Sequence, residues 1–213
     1  MGVISAALAY YFQPENTTYK HNSLINKNMA KTIKYSKNQR TLYFAIGFTL
    51  AFFLYITFIL GPVSSCFKLD VGANSLGLSF SYTKDMVQNF FESRTQEQLL
   101  CYSQFLKIWD AIFAFVYTLM YASWIRYFFK NKSLFLIIPI LGMFADWSEN
   151  YVELLMLETY LNSSPISEIL VSLGSGINSF KWTLSILTYL IILIGVMIAL
   201  KIFLTNLIYW KKN

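Results

Sequence analysis

Asp146, Glu149, Asn150 and Glu153 stand at offsets of three, four and seven, a spacing that lines side chains along one face of an α-helix. The flanks are apolar, Leu134 to Ala145 before and Tyr151 to Leu157 after. A charged side chain at mid-bilayer costs at least ~3 kcal/mol, so acids in such a rod turn toward neighbouring helices and become candidates for function. Asp110 interrupts a second apolar stretch, and Lys181 and Lys107 are the cations within reach. Carboxyl groups crowded into a low-dielectric site differ in proton affinity, which is what general acid–base catalysis or proton binding uses. The same residues also suit an architectural role: hydrogen bonding across helices, pairing with Lys181 and fixing helix register.

The elements that must position these residues follow from composition. Of 213 residues, 56% are hydrophobic and only 13% charged, about half the charge of an ordinary soluble domain, and the mean hydropathy is positive. Disorder, collagen, coiled coil and a disulfide-stapled secreted scaffold are excluded. Segments 42–60, 105–129, 134–157 and 180–208 each approach the roughly 20 residues that cross a ~30 Å hydrocarbon layer. The expected fold is an all-α, four-helix integral membrane bundle over residues 42–213, with a cytoplasmic or matrix-side arm at 1–41 and an outer loop at 61–104. On this register Asp146 lies ~18 Å from the inner end of its span and Glu153 close to the outer interface.

Orientation rests on the basic residues. The arm, the turn holding Arg126, Lys130 and Lys132, and the C-terminal end carry twelve of the seventeen Lys and Arg, with Glu15 as the one acid. Both termini are therefore expected in the cytoplasm, or in the matrix if the membrane is mitochondrial. The net charge of +6 is read as this topology signal and as attraction to anionic lipid, not as a nucleic-acid surface. In the arm, Val3 to Phe12 is apolar but too short to span, and lone His21 has no ligand spacing around it, so no metal site and no cofactor is expected. Asn16 and Asn162 open N-x-Ser/Thr sequons, of which Asn162 falls on the outer side.

In the outer loop, Gly61-Pro62 is expected to stop the first helix. Thr83, with Asp85 behind it and Met86, Val87, Phe90 and Phe91 in helical register, predicts an exoplasmic amphipathic helix. Thr95 and Gln98 form a capping-box pattern, so a helix from Gln96 is expected to run into the second span. Cys66 and Cys101 both lie in this loop and are disulfide candidates if that side is oxidising; two unpaired thiols is the alternative. Pro139 predicts a kink in the third span. Tyr117, Trp109, Trp147 and Trp182 are candidate aromatic walls. Nucleotide-binding, nucleophile-elbow and zinc-protease patterns do not occur.

The Ser81-Tyr82-Thr83 opening of the outer helix, Asp110 with Tyr117, Pro139, Asp146-x-x-Glu149-Asn150 and Lys181-Trp182 resemble a group of bacterial-type four-span membrane proteins without an established activity. That resemblance implies a shared bundle and polar face. In span order and loop placement the chain is more loosely similar to the emopamil-binding and sigma-2 type of four-span proteins. The sterol isomerases of that group look to depend on an embedded histidine, which His21 does not supply, so no catalytic role is carried over.

These readings converge on a non-catalytic multi-pass protein, an accessory or structural subunit of a membrane complex, with a polar-lined pocket for a lipid or small hydrophobic ligand. The expected ligand-binding residues are Asp110, Tyr117, Asp146, Glu149, Asn150, Glu153 and Lys181. Its partners would be membrane lipids and other membrane protein subunits. The competing reading is a membrane enzyme acting on a lipid or isoprenoid, with Asp146 or Glu149 as general acid or base and Lys181 stabilising charge. A third is a small transporter or proton path.

Overall fold

A computed structural model describes residues 39–69, 75–130 and 133–212. The arm segment Val3 to Phe12, Asn16 and His21, together with Gly72 and Asn74 of the outer loop, lie outside these residues. The described chain is all-helical. Its elements are α1 (Gln39–Ser64), α2 (Lys84–Glu92), α3 (Gln96–Phe129), α4 (Ile137–Leu161) and α5 (Glu168–Lys212), with short 3-10 turns at Leu76–Leu78 and Ser133–Leu136. Three of them, α1, α3 and the Glu168–Thr205 part of α5, are long and apolar enough to cross a membrane. At 25 residues α4 has the length, and its acids set it apart from the other three.

Gly61-Pro62 does not end α1. The helix widens to a π turn over Ile56–Leu60 and runs on to Ser64. In a regular α-helix the proline ring would strike the carbonyl four residues back, and the wider turn moves that carbonyl aside. Thr83 caps α2 by accepting from the Met86 N–H, and the Thr95–Gln98 capping box opens α3. Pro139 sits in the first turn of α4, where its missing N–H leaves no intrahelical bond unmade, so position rather than kinking accounts for it.

The last helix departs most from expectation: it begins at Glu168 instead of Phe180, leaving only 162–167 between α4 and α5. What the sequence suggested was loop is a helical extension, and Gly174 shows why it packs. A Cβ there would run into the Tyr82 hydroxyl and come within 2.9 Å of Val152 Cγ1, so the missing side chain is what lets α4, α5 and the outer loop close together.

Neighbouring long helices are antiparallel. Thr49 meets Trp124 and Tyr55 meets Trp109 between α1 and α3; Tyr102 meets Glu153 and Tyr117 meets Asp146 between α3 and α4. Along α4 and α5, Gly142 faces Leu184, Glu149 faces Lys181 and Val152 faces Gly174. Two apolar cores result. The larger, with Phe67, Leu76, Phe91, Tyr102, Phe105 and Met156, joins the outer loop and α2 to the outer ends of α3, α4 and α5. The smaller, with Ala114, Tyr117, Met120, Tyr121 and Met143, lies between α3 and α4.

Candidate functional site

The acidic face of α4 is turned into the bundle. Asp146 is 5% exposed and Glu149 and Glu153 are 0% exposed, while Leu141, Phe144 and Tyr151 on the other side are 43 to 63% exposed. From α5, the Lys181 ammonium reaches Asp146 Oδ1 at 3.1 Å and also contacts Glu149 Oε2. Among the described residues it is the cation of this cluster; Lys107 is exposed and Lys84 pairs at 3.7 Å with Glu168 at the outer end. The shared ammonium offsets part of the cost of burying two carboxylates together, and Glu149 Oε1 is left without a hydrogen-bond partner.

From α3, Tyr117 donates to Asp146 Oδ2 at 3.0 Å. Asn150 donates to Asp110 Oδ2 at 2.8 Å and to the Leu106 carbonyl at 3.4 Å. Asp110 closes a π turn, Phe105–Asp110, within α3. Wide turns displace carbonyls from the regular ladder and recur at functional sites. Here neighbouring helices satisfy the carbonyls: Tyr55 donates to Trp109 O at 2.9 Å and Trp147 to Ala111 O at 3.0 Å.

The outer loop forms the lid. The Gly77 carbonyl accepts from Lys181 Nζ at 3.3 Å and from Trp182 Nε1 at 3.1 Å. A side chain at Gly77 would press on Glu149 Oε1 at 3.1 Å and Lys181 Nζ at 3.2 Å, so the glycine brings backbone directly onto the ion cluster. Cys66 and Cys101 are bonded, their Cα atoms 6.4 Å apart across a separation of 35 residues, tying the end of α1 to the first turns of α3. Arg94 holds the same region from beneath. Its guanidinium donates to the Phe67 and Phe90 carbonyls at 2.9 and 2.7 Å and stacks 3.6 Å above the Phe90 ring. Burial lowers its proton affinity from the usual arginine range, and the neighbouring Tyr102 acts against that. Tyr82, wedged between α4 and α5, has its hydroxyl pushed up, chiefly by burial and then by the nearby Glu153 and Glu149 charges.

Between α1, α3, α4 and α5, under this lid, lies a cleft of about 440 Å³. Asp110, Asp146, Asn150 and Lys181 form its polar side, and Phe52, Phe113, Tyr117, Tyr189 and Trp182 its aromatic side. The expected ligand residues thus divide. Asp110, Tyr117, Asp146, Asn150 and Lys181 face the cleft; Glu149 and Glu153 lie behind it, buried against Lys181 and Tyr102. Glu153 is fully buried within the protein. Of the expected aromatic walls, Trp109 and Trp147 face elsewhere, while Phe52, Phe113, Tyr121 and Tyr189 take their place.

Sequence reasoning missed Tyr102, which donates to Glu153 Oε2 and stands 3.2 Å from Ser75 Oγ, and it missed Gly77. The one available signal for Tyr102 was that a buried Glu153 needs a donor from an adjacent helix. Comparison of the chain with protein-family models, with characterised proteins and with solved structures yields no match.

Proposed function

We propose that the chain crosses the bilayer four times, α4 included, and uses the cleft to hold a lipid or small hydrophobic molecule without transforming it. Several observations support this. The acids that would bar α4 from hydrocarbon face its neighbours, and its lipid side is Ile140, Leu141, Phe144 and Tyr151, which removes most of the cost of inserting it. The observation that carries the binding reading is the cleft's two-sided lining: two carboxyl groups, an amide and an ammonium on one wall, aromatic rings on the other. Binding sites for small apolar molecules have this build, an apolar body with a few polar groups that fix orientation. A ligand's polar end would meet Asp110, Asn150 and Lys181, and its apolar body would lie along Phe52, Phe113 and Tyr189. Beyond Gly195, which abuts the Phe128 ring, residues 196–205 of α5 are exposed on every side. That apolar surface suits lipid and the accompanying subunits of a membrane assembly.

Native mass spectrometry from mild detergent tests the reading. The wild-type chain should carry a lipid-sized adduct in near one-to-one amount, and Asp110→Asn with Phe113→Ala should lose most of it while remaining folded. Wild-type protein that flies without an adduct after extraction in native lipid, or an adduct retained in full by the double variant, refutes it.

A further inference from the structure

Behind the cleft, the acids of α4 leave charge and hydrogen bonding unbalanced. Lys181 contacts Asp146 Oδ1 and Glu149 Oε2, and Tyr102 donates to Glu153 Oε2. Glu149 Oε1 and Glu153 Oε1 then remain, both fully buried and both without a hydrogen-bond partner. The two residues stand one turn apart on one face of α4, a spacing that makes their side chains neighbours. An unpartnered buried polar atom is costly, and two such carboxylate oxygens on adjacent turns of one helix are costlier still.

One proton satisfies both oxygens. Carried on Glu153 Oε1, it makes that atom a donor, and Glu149 Oε1, one turn away, is the buried acceptor that still lacks one. We propose that Glu149 and Glu153 bind a single proton between them, as a carboxylic acid hydrogen-bonded to a carboxylate, beneath the outer loop. The groups facing the pair set where the proton sits. Lys181 of α5 and, on α4 itself, Asp146 lie on the Glu149 side, and the ammonium in direct contact favours the ionised Glu149. Tyr102 of α3 donates to Glu153, and Tyr82 of the outer loop lies near both carboxyls with its hydroxyl unpartnered. The proton therefore belongs on Glu153. Tyr102, in contact with Ser75 at 3.2 Å, links the pair to the outer loop. The inference concerns residues outside the cleft lining and stands whether or not the cleft holds a ligand.

Infrared spectroscopy of the full-length protein in detergent tests it. At neutral pH the wild type should show the carbonyl stretch of a protonated carboxyl above the amide band, shifted on exchange into heavy water. Glu153→Gln should lose that band yet fold as the wild type does, because the amide keeps a donor toward Glu149 and an acceptor toward Tyr102. Absence of the band from folded wild-type protein overturns the proposal, as does its persistence at full strength in Glu153→Gln. A sodium ion bridging the two oxygens would instead raise thermal stability in sodium over choline chloride with no carboxylic-acid band, and that result also overturns it.

Discussion

Lys181 is the residue on which the buried charge cluster turns. Substituting Lys181→Met keeps the side-chain length and removes the ammonium, leaving Asp146 and Glu149 buried without their cation. Breaking a buried pair from one side costs about 3–5 kcal/mol, so the variant should unfold at markedly lower denaturing-detergent fraction than the wild type. Adding Glu149→Gln should restore part of the loss, since one orphaned charge disappears. Tyr82 makes the opposite case. Its hydroxyl is buried with no hydrogen-bond partner, so Tyr82→Phe should be neutral or stabilising. Gly174→Ala, whose new methyl meets that hydroxyl and Val152, should cost about 1–3 kcal/mol as an overpacked contact does. The double variant should recover much of it, and thermal melts of the three proteins against wild type check the set. Spacing alone showed that four polar residues share a face of α4; it did not show that Tyr102 and Gly77 complete their shell, because those partners come from distant segments.

Among the elements, the outer loop is held by two devices of different reach. The capping box at Thr95 is local, and Thr95→Ala should cost about 1 kcal/mol, read as a small drop in melting temperature. The Cys66–Cys101 bridge closes a 35-residue separation and should contribute roughly 3–4 kcal/mol on the chain-entropy account. Replacing both cysteines with serine, or adding a membrane-permeant reductant, should therefore lower the melting temperature far more than Thr95→Ala does, and should loosen the lid that sets Gly77 over Lys181. Caps and the amphipathic helix were legible in sequence because they depend on neighbours three or four residues away. The continuation of α1 through Pro62 and the early start of α5 were not: the first depends on the widening of the helix to a π turn ahead of Pro62, the second on the close tertiary approach at Gly174.

For the whole molecule, the number of crossings is the question with the largest consequence. Three crossings would put the two ends of the chain on opposite sides; four put them together. With small epitope tags at each end, a membrane-impermeant reagent applied to sealed vesicles should reach both tags or neither. The Cys66–Cys101 loop should be on the other face. Tags that respond separately would show that α4 does not cross.

Apolar run length determined, from sequence alone, an all-helical chain built around membrane-length helices, because hydropathy sums over neighbouring residues and needs no knowledge of the fold. The period of 3.6 likewise put Asp146, Glu149, Asn150 and Glu153 on one face. Which of those acids would line a cleft was decided only by packing. Asp146 and Asn150 look into it beside Asp110 of α3, while Glu149 lies behind it against Lys181 and Gly77, and Glu153 against Tyr102. A side chain's surroundings are set by segments far away in the chain, and those distances exist only once it has folded.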